Sequence, residues 1–468
     1  MWSIPAWLFM LAFFHRPAPG VITKELMQSF DISGTVVGLL SATYFYSYAA
    51  LMVPAGLFID TFGVRRIVAL GGLVMGLGAV AMAAAWSEAP LFAGRFIVGL
   101  GATVTFVGAL KVAAVWFPPS RFGTLSAISA AVGVLGALLA TAPWAWLVAR
   151  AGWRAAFAVV AGLTFVGAVL CYAIVRDAPA GTARAEASPP FSAVLRGTVR
   201  VLANPHTWPP FVAFFFMYAA VGNMMLWFIP YLRDVYGMVT TEAALYATAT
   251  SLALLAAGPL TGWLSDRVLA RRKLPYLGLA VAYLGTWLVF LATLGWLPPG
   301  PLYALLFVMG AVGGGFVLTW PIAREVNPPE LAGVAVAVAN LGGFLGAALT
   351  QGPLGAVLDA RWTGVIAQGA RAYPVEAYRA AFTICAAFVL LSAVAALFVR
   401  ETRGRNVYAE ILASRGLALA GHGTASGERR AGSGERMPRA SFWLNLSRCR
   451  LIRQSPTRGY PSSVPRDA

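Results

Sequence analysis

Apolar residues gather along this chain in stretches of about 20, the length a helix needs to cross the ~30 Å hydrocarbon core of a bilayer. Short polar turns separate them. Twelve such segments are expected: 2–22, 34–58, 67–86, 91–116, 123–148, 155–175, 208–231, 242–264, 275–296, 302–323, 332–357 and 379–399. Most are rich in Ala, Gly, Leu and Val. In lipid no hydrophobic force acts between helices, and small residues let backbones approach. Gly133 and Gly136 in the fifth segment, and Gly342, Gly343 and Gly346 in the eleventh, are read as packing residues of this kind. One connection differs from the rest. Residues 176–206 are polar and proline-containing, with Arg176, Arg184, Arg196 and Arg200. They form a linker that divides the chain into a bundle over 1–175 and a second over 207–405, six segments each. Residues 406–468 lack a sustained period and are rich in Arg, Ser, Gly and Pro, so a disordered basic tail is expected there.

Composition agrees with a lipid solvent. Hydrophobic residues make up 59% of the 468 and charged ones only 11%, against about 25% charged in soluble domains. The net charge of +17 invites a nucleic-acid reading, but its distribution argues against one. From Arg400 onward there are 13 Arg against 5 acidic residues, and most other basic residues sit in short loops between apolar segments. Counted by alternate loops, twelve basic residues fall on one side and seven on the other, which places both termini in the cytoplasm, in a bacterial inner membrane. The first run lacks a basic leader and a small-residue cleavage site, so it is read as a retained helix. Cys171, Cys385 and Cys449 are too scattered for a disulfide framework or metal cluster. No hydrolase or metalloprotease motif is present, so neither an enzyme nor a cofactor is expected. The bilayer and a small-molecule substrate are the expected partners of a monomeric chain.

Between the second and third segments stands GLFIDTFGVRR, with Gly56, Asp60, Gly63, Arg65 and Arg66. Gly56 permits close helix approach, Asp60 can accept from free amides at a helix start, and Gly63 allows a tight turn. Six segments later GWLSDRVLARR repeats the pattern with Gly262, Asp266, Arg267, Arg271 and Arg272, though Leu269 stands in place of a second glycine. The fourth segment opens on GRFIVGLG, with Arg95, Gly99 and Gly101. On these residues the chain, from about 1 to 405, resembles the major facilitator superfamily. Thr61 is the one departure from its loop signature in the first copy. The resemblance implies an all-α membrane protein, twelve transmembrane helices in two six-helix bundles. It also implies secondary transport of a small solute by alternating access, with the Asp60 and Asp266 loops biasing the inward and outward states. The family's antiporter signature is reduced here to Gly133, Gly136 and Pro143, with Ala142 replacing a glycine, which weakens an exporter reading. Efflux of a drug or metabolite, and a membrane sensor that keeps the fold without transporting, stay open as alternatives.

Arg16 lies about 20 Å along the first helix at ~1.5 Å per residue. A charge near the bilayer centre costs about 2.5–3.5 kcal/mol, so it faces a wet cavity, pairs with a counter-ion, or snorkels to the headgroups. The resemblance points to the cavity. The organic-anion and sugar-phosphate permeases, the branch nearest in pattern, carry an arginine at the corresponding place in helix one. Those with phosphate substrates carry another in helix seven. The matching stretch here, FMYAAVGNMMLWFIPYLRDVYG, keeps Trp227 but has Val221 at that second position, and Arg233 lies too near the outer end to replace it. One guanidinium fork matches a monoanionic carboxylate and under-neutralises a phosphate dianion. A small organic anion or an amino acid is therefore the expected substrate. Tyr44 and Tyr48 on one helix face, with Asn223, Trp227, Trp320 and Asn340, are further substrate-facing candidates. Packing and helix–helix hydrogen bonds are their plainer explanations. His15 is the one group near the presumed cavity that titrates near neutral pH, a candidate relay for a coupling proton or a polar spectator. Lys111 and Glu325 are expected near cytoplasmic helix ends, gating or snorkelling.

Overall fold

Ten helical stretches among the described residues are long and apolar enough to cross a membrane. The computed structural model describes residues 1–179 and 191–414. The amino-terminal half comprises α1 (Ser3–Phe14), α2 (Ala18–Val21), α3 (Thr23–Phe30), α4 (Gly34–Phe62), α5 (Val64–Ala83), α6 (Glu88–Trp116), α7 (Pro119–Leu139) and α8 (Ala142–Ile174). After the linker helix α9 (Phe191–Leu202), the second half contains α10 (Trp208–Tyr236), α11 (Thr240–Trp263), α12 (Lys273–Ala292), α13 (Pro299–Gly313), α14 (Thr319–Glu325), α15 (Ala332–Asp359) and α16 (Val375–Leu397). A two-residue hairpin, β1 (Ile366–Ala367) and β2 (Ala370–Arg371), precedes α16.

The two expected segments outside the ten spans, 2–22 and 123–148, are not single helices. The first is broken after Phe14. The second is divided between α7 and the start of α8, and α8 itself is two helices joined at Gly152, where φ is +78°. Only glycine adopts that backbone cheaply.

Close approach explains much of the small-residue content. A Cβ on Gly346 would lie 2.1 Å from the Phe215 carbonyl oxygen, so α15 and α10 touch backbone to backbone. Between the halves, a Cβ on Gly38 would meet the Gln351 carbonyl oxygen at 2.2 Å. Large apolar side chains such as Leu77, Val169 and Leu260 are exposed on the outside of the bundle, as a lipid-facing surface requires.

The two ends of the bundle differ. At one end, ion pairs and hydrogen bonds join the halves. Lys24 pairs with Asp234 at 2.7 Å and Arg233 with Glu25 at 2.8 Å. Asp359, at the end of α15, accepts from the first amides of α4, Gly34 at 3.0 Å and Thr35 at 2.7 Å, and from the hydroxyls of Thr35 and Tyr373. A carboxylate at a helix start satisfies amides that lack intrahelical partners. At the other end, among the described residues, ion pairs join groups of one half or tie the linker to the second half: Asp60–Lys111, Arg272–Glu325, Arg272–Asp266, Arg200–Glu330 and Arg405–Glu410.

The linker and tail depart from expectation where they are described. Residues 191–202 are an amphipathic helix rather than a polar connection, with Val201 buried against Ala335 and Val338 of α15. Disorder does not begin at 406. Asn406 donates to the carbonyls of Arg324 and Asn327, the Val407 N–H bonds the Glu325 carbonyl, and Val407 and Ile411 are buried against α14. The remainder of the expected tail, 415–468 with Cys449, and linker residues 180–190 lie outside the described residues.

Just before this docked stretch, Glu401 accepts from the amides of Arg272 at 2.8 Å and Lys273 at 3.2 Å, and so caps α12 from outside. Its burial opposes ionisation, but the amides of Arg272, Arg403, Lys273 and Thr402 outweigh this and hold its pKa below the ordinary 4.5. A depressed carboxylate pKa contributes stability above that value and loses it as pH falls through the folded-state one. Glu401→Ala is expected to lower stability by about 1 kcal/mol at neutral pH. In a thermal melt of the purified protein, the gap from wild type narrows as the buffer is taken below pH 4.5.

Candidate functional site

The first segment cannot continue as one helix because Pro17 and Pro19 have no amide hydrogen. The carbonyls of Phe13 and His15 therefore lose their usual partners four residues on. Local backbone bonds repair part of the loss: the Arg16 N–H turns to Phe13 at 3.2 Å, and the Gly20 N–H to Pro17 at 2.9 Å. That in turn frees the carbonyls of Ala12 and Arg16. Side chains supply the rest. The Tyr44 hydroxyl donates to Ala12 at 3.0 Å, and Arg95 donates through one nitrogen to His15 and through the other to Arg16 at 3.4 Å. Arg95 is fully buried and stands 4.9 Å from the Tyr44 ring. Its place in a sequence signature thus corresponds here to a tertiary cap on a broken helix.

The break leaves Arg16 half-buried among aromatic rings from both halves. Its guanidinium carbon lies 3.7 Å from the Phe13 ring centroid, 5.2 Å from Tyr48 and 4.8 Å from Phe344 on α15. Such faces attract a cation by about 0.5–2 kcal/mol each. Its Nε is buried without a partner, and the hydroxyls of Tyr44 and Tyr48 lie close enough to interact with the rest of the guanidinium. Among the described residues no carboxylate forms an ion pair with Arg16 or Arg95.

Beside Arg16 is a small cavity of ≈ 10 Å³, about the space one water requires. Ser41, Phe45, Gly222, Met225 and Gln351 line it with Arg16 and Pro17. Ser41 Oγ and Gln351 Oε1 are buried and unpartnered. Gln351 Nε2 donates to the Gly222 carbonyl at 3.2 Å, which identifies the amide oxygen as the free end. A guanidinium, a hydroxyl and an amide oxygen thus meet at the junction of the halves.

Of the residues expected at a site, Arg16, Tyr44 and Tyr48 come together, the two tyrosine rings stacking at 5.8 Å. Asn223 commits its Nδ2 to Ala219 at 2.9 Å and to Thr350 at 2.8 Å, and its Oδ1 is buried without a partner. Trp227 is fully buried beside Tyr373, under the bonds that join the halves. Trp320 donates to Asn340 at 3.2 Å, separated from Phe344 by the rings of Phe214 and Tyr218. His15 lies inside the amino-terminal half against Phe14 and Phe157, with both ring nitrogens unpartnered, and does not line the cavity. Ser41 was not singled out in the sequence, although it shares a face with Tyr44 and Tyr48 at i, i+3 and i+7. Phe13 and Phe344 carry no such local sign.

The signature loops are also on view. Gly63 has φ +88°. Among the described residues Asp60 accepts from no helix amide. It pairs with Lys111 at 2.8 Å, while Asp177 accepts the Arg65 N–H at 2.9 Å. The reason is position: α5 starts immediately after Gly63, and the chain leaving α8 brings Asp177 directly beneath it. Arg66 and Arg267 are exposed, and an added Cβ on Gly56 or Gly262 would meet nothing within 4 Å. In the second loop Arg272 bonds both Asp266 and Glu325, and Glu325 is buried rather than held at the surface.

Replacing Arg95 by Leu strands two buried carbonyls at about 1–3 kcal/mol each. The expected result is a melting temperature lowered by several degrees, with Arg95→Lys intermediate because one ammonium cannot span both oxygens.

A family model described as the Major Facilitator Superfamily matches residues 6–351. The probable nitrate/nitrite transporter NarK2 of Mycobacterium tuberculosis is 28% identical over 354 residues, 73% of this chain and 85% of the relative. The probable galactarate/D-glucarate transporter GarP of Escherichia coli K12 is 23% identical over 372 residues, 72% and 82% of the two chains. In fold, the chain is similar to a bacterial homolog of the human lysosomal transporter Spinster. The TM-score is 0.70 at 16% identity, covering 86% of this chain and 96% of that one. This is a transporter fold, not an enzyme's, and its apolar helices make the protein an integral membrane protein. The chain belongs to the Major Facilitator Superfamily.

Proposed function

We propose that this protein is a twelve-crossing carrier that moves a small organic anion, a carboxylate or an amino acid, by alternating access. The observation that carries the reading is Arg16: a guanidinium at the junction of the halves, gripped by rings from both, with no carboxylate partner. An anion about 4 Å away gains roughly 4 kcal/mol at an effective dielectric of 20. Ser41 and Gln351 add a donor and an acceptor for a substrate's remaining oxygens or an amino group. Arg95 adds positive field, but its nitrogens are occupied by carbonyls, so a single fork favours a monoanionic head. The names of the relatives support the class, since nitrate, nitrite, galactarate and glucarate are all small anions.

The two ends suit a rocking mechanism. The end held by Lys24–Asp234, Arg233–Glu25 and Asp359 is shut across the halves, and the Asp60 end is the one able to part. The bias of basic residues supports a cytoplasmic Asp60 end in a bacterial cell, with both termini on that side. Substrate bound between the halves shifts the balance of the two states only through contacts that differ between them, and contacts from α1, α4 and α15 on one guanidinium meet that condition.

In proteoliposomes, Arg16→Ala is expected to abolish uptake of the substrate identified by a thermal-shift screen of amino acids and carboxylates, and Arg16→Lys to impair it. Undiminished uptake by the alanine variant would refute the site. Asp359→Asn is expected to speed deuterium exchange at the start of α4, because the amides of Gly34 and Thr35 lose their charged acceptor. Unchanged protection there would show that Asp359 does not hold the halves together.

A further inference from the structure

A second and larger cavity, ≈ 60 Å³, adjoins the space beside Arg16 and shares Pro17 and Met225 with it. Its lining is apolar, chiefly Val221, Met224, Phe228, Ile229, Leu254 and Met309. The few hydroxyls at its edge are already committed. Thr250 donates to Tyr246 at 3.2 Å, Ser251 to Ala247 at 2.8 Å, and Thr141 to Leu138. Tyr283 is the remaining polar liner. On this measure a water needs about 10–15 Å³ and two to four polar partners, so the cavity has room for several waters and little to hold them. An apolar group entering it therefore gains the full transfer term, about fourfold in affinity per buried methylene.

We infer that the substrate is an amphipathic monoanion. Its carboxylate sits on Arg16 and accepts from the Ser41 hydroxyl, and its short unbranched apolar tail extends past Pro17 and Met225 into the cavity between α10, α11 and α13. The inference rests on the anion reading of Arg16 and adds the tail. Val221 of α10 presents a buried aliphatic side chain to the cavity.

The test uses the full chain in lipid nanodiscs, with calorimetric titration of acetate, butyrate and hexanoate, the matched 1-alkanols and alkylammonium ions, and empty nanodiscs as reference. Carboxylate affinity is expected to rise about fourfold per methylene until the cavity is full, with no binding by alcohols or amines and none by Arg16→Ala. Leu254→Trp, which fills the cavity, is expected to keep acetate affinity and lose the gain with length. Met309→Phe serves as a second filling variant, and a melt checks that each is folded. Arg16-dependent binding that is flat with length overturns the tail inference and leaves the anion reading standing. An equal gain for alcohols, or an undiminished gain in both folded filling variants, also overturns the tail inference. Absence of Arg16-dependent binding by every carboxylate removes the anion reading and the tail inference with it.

Discussion

The break in the first segment governs the rest of the site. Two prolines remove the amides that would bond Phe13 and His15, and the backbone responds by shifting its hydrogen bonds and leaving carbonyls inside the bundle. Buried carbonyls without donors are costly, so Arg95 and Tyr44 are drawn to the break and held there. Arg95 has its donors occupied and becomes part of the scaffold. Arg16, next to the His15 carbonyl that Arg95 holds, lies instead among the rings of Phe13, Tyr48 and Phe344. Two arginines of the same charge therefore have different duties, set by which one finds carbonyls.

Around that site the protein uses two kinds of contact between its halves. Near the Lys24 end, ion pairs and helix-start amides bond across them, and glycine lets α4 and α15 meet backbone to backbone. At the Asp60 end the charged groups pair within a half: Asp60 with Lys111, and Arg272 with Glu325 and Asp266. Charges satisfied within each half do not tie it to the other. Polar bonds are well suited to both tasks because, in lipid, the apolar faces of the helices give no directional preference of their own.

The same distinction separates what was legible in the chain from what was not. The helical class, the packing role of Gly136 and Gly346 and the tight turn at Gly63 follow from local features: apolar run length, small residues, a turn glycine. The division of residues near the site does not. Phe344 lies more than 300 positions from Arg16 in the chain, and no period or motif joins them. Lys111 claims Asp60, and Asp177 takes the amide that Asp60 was expected to satisfy, because the end of α8 passes beneath Gly63. His15, next to Arg16 in sequence, faces Phe14 and Phe157 within the amino-terminal half instead of the rings around Arg16.

By itself, then, the amino-acid order settled that the solvent is lipid and that helices are the structure it allows, while the segment expected as one helix over 2–22 is broken after Phe14. These are consequences of hydrophobicity and backbone hydrogen bonding, which each stretch of chain carries with it. Only the tertiary structure decided which guanidinium was spent on carbonyls and which on aromatic rings, and which end of the bundle carries ion pairs across the halves. Those depend on donors and acceptors from distant segments competing for one another in a medium that offers no water as a substitute.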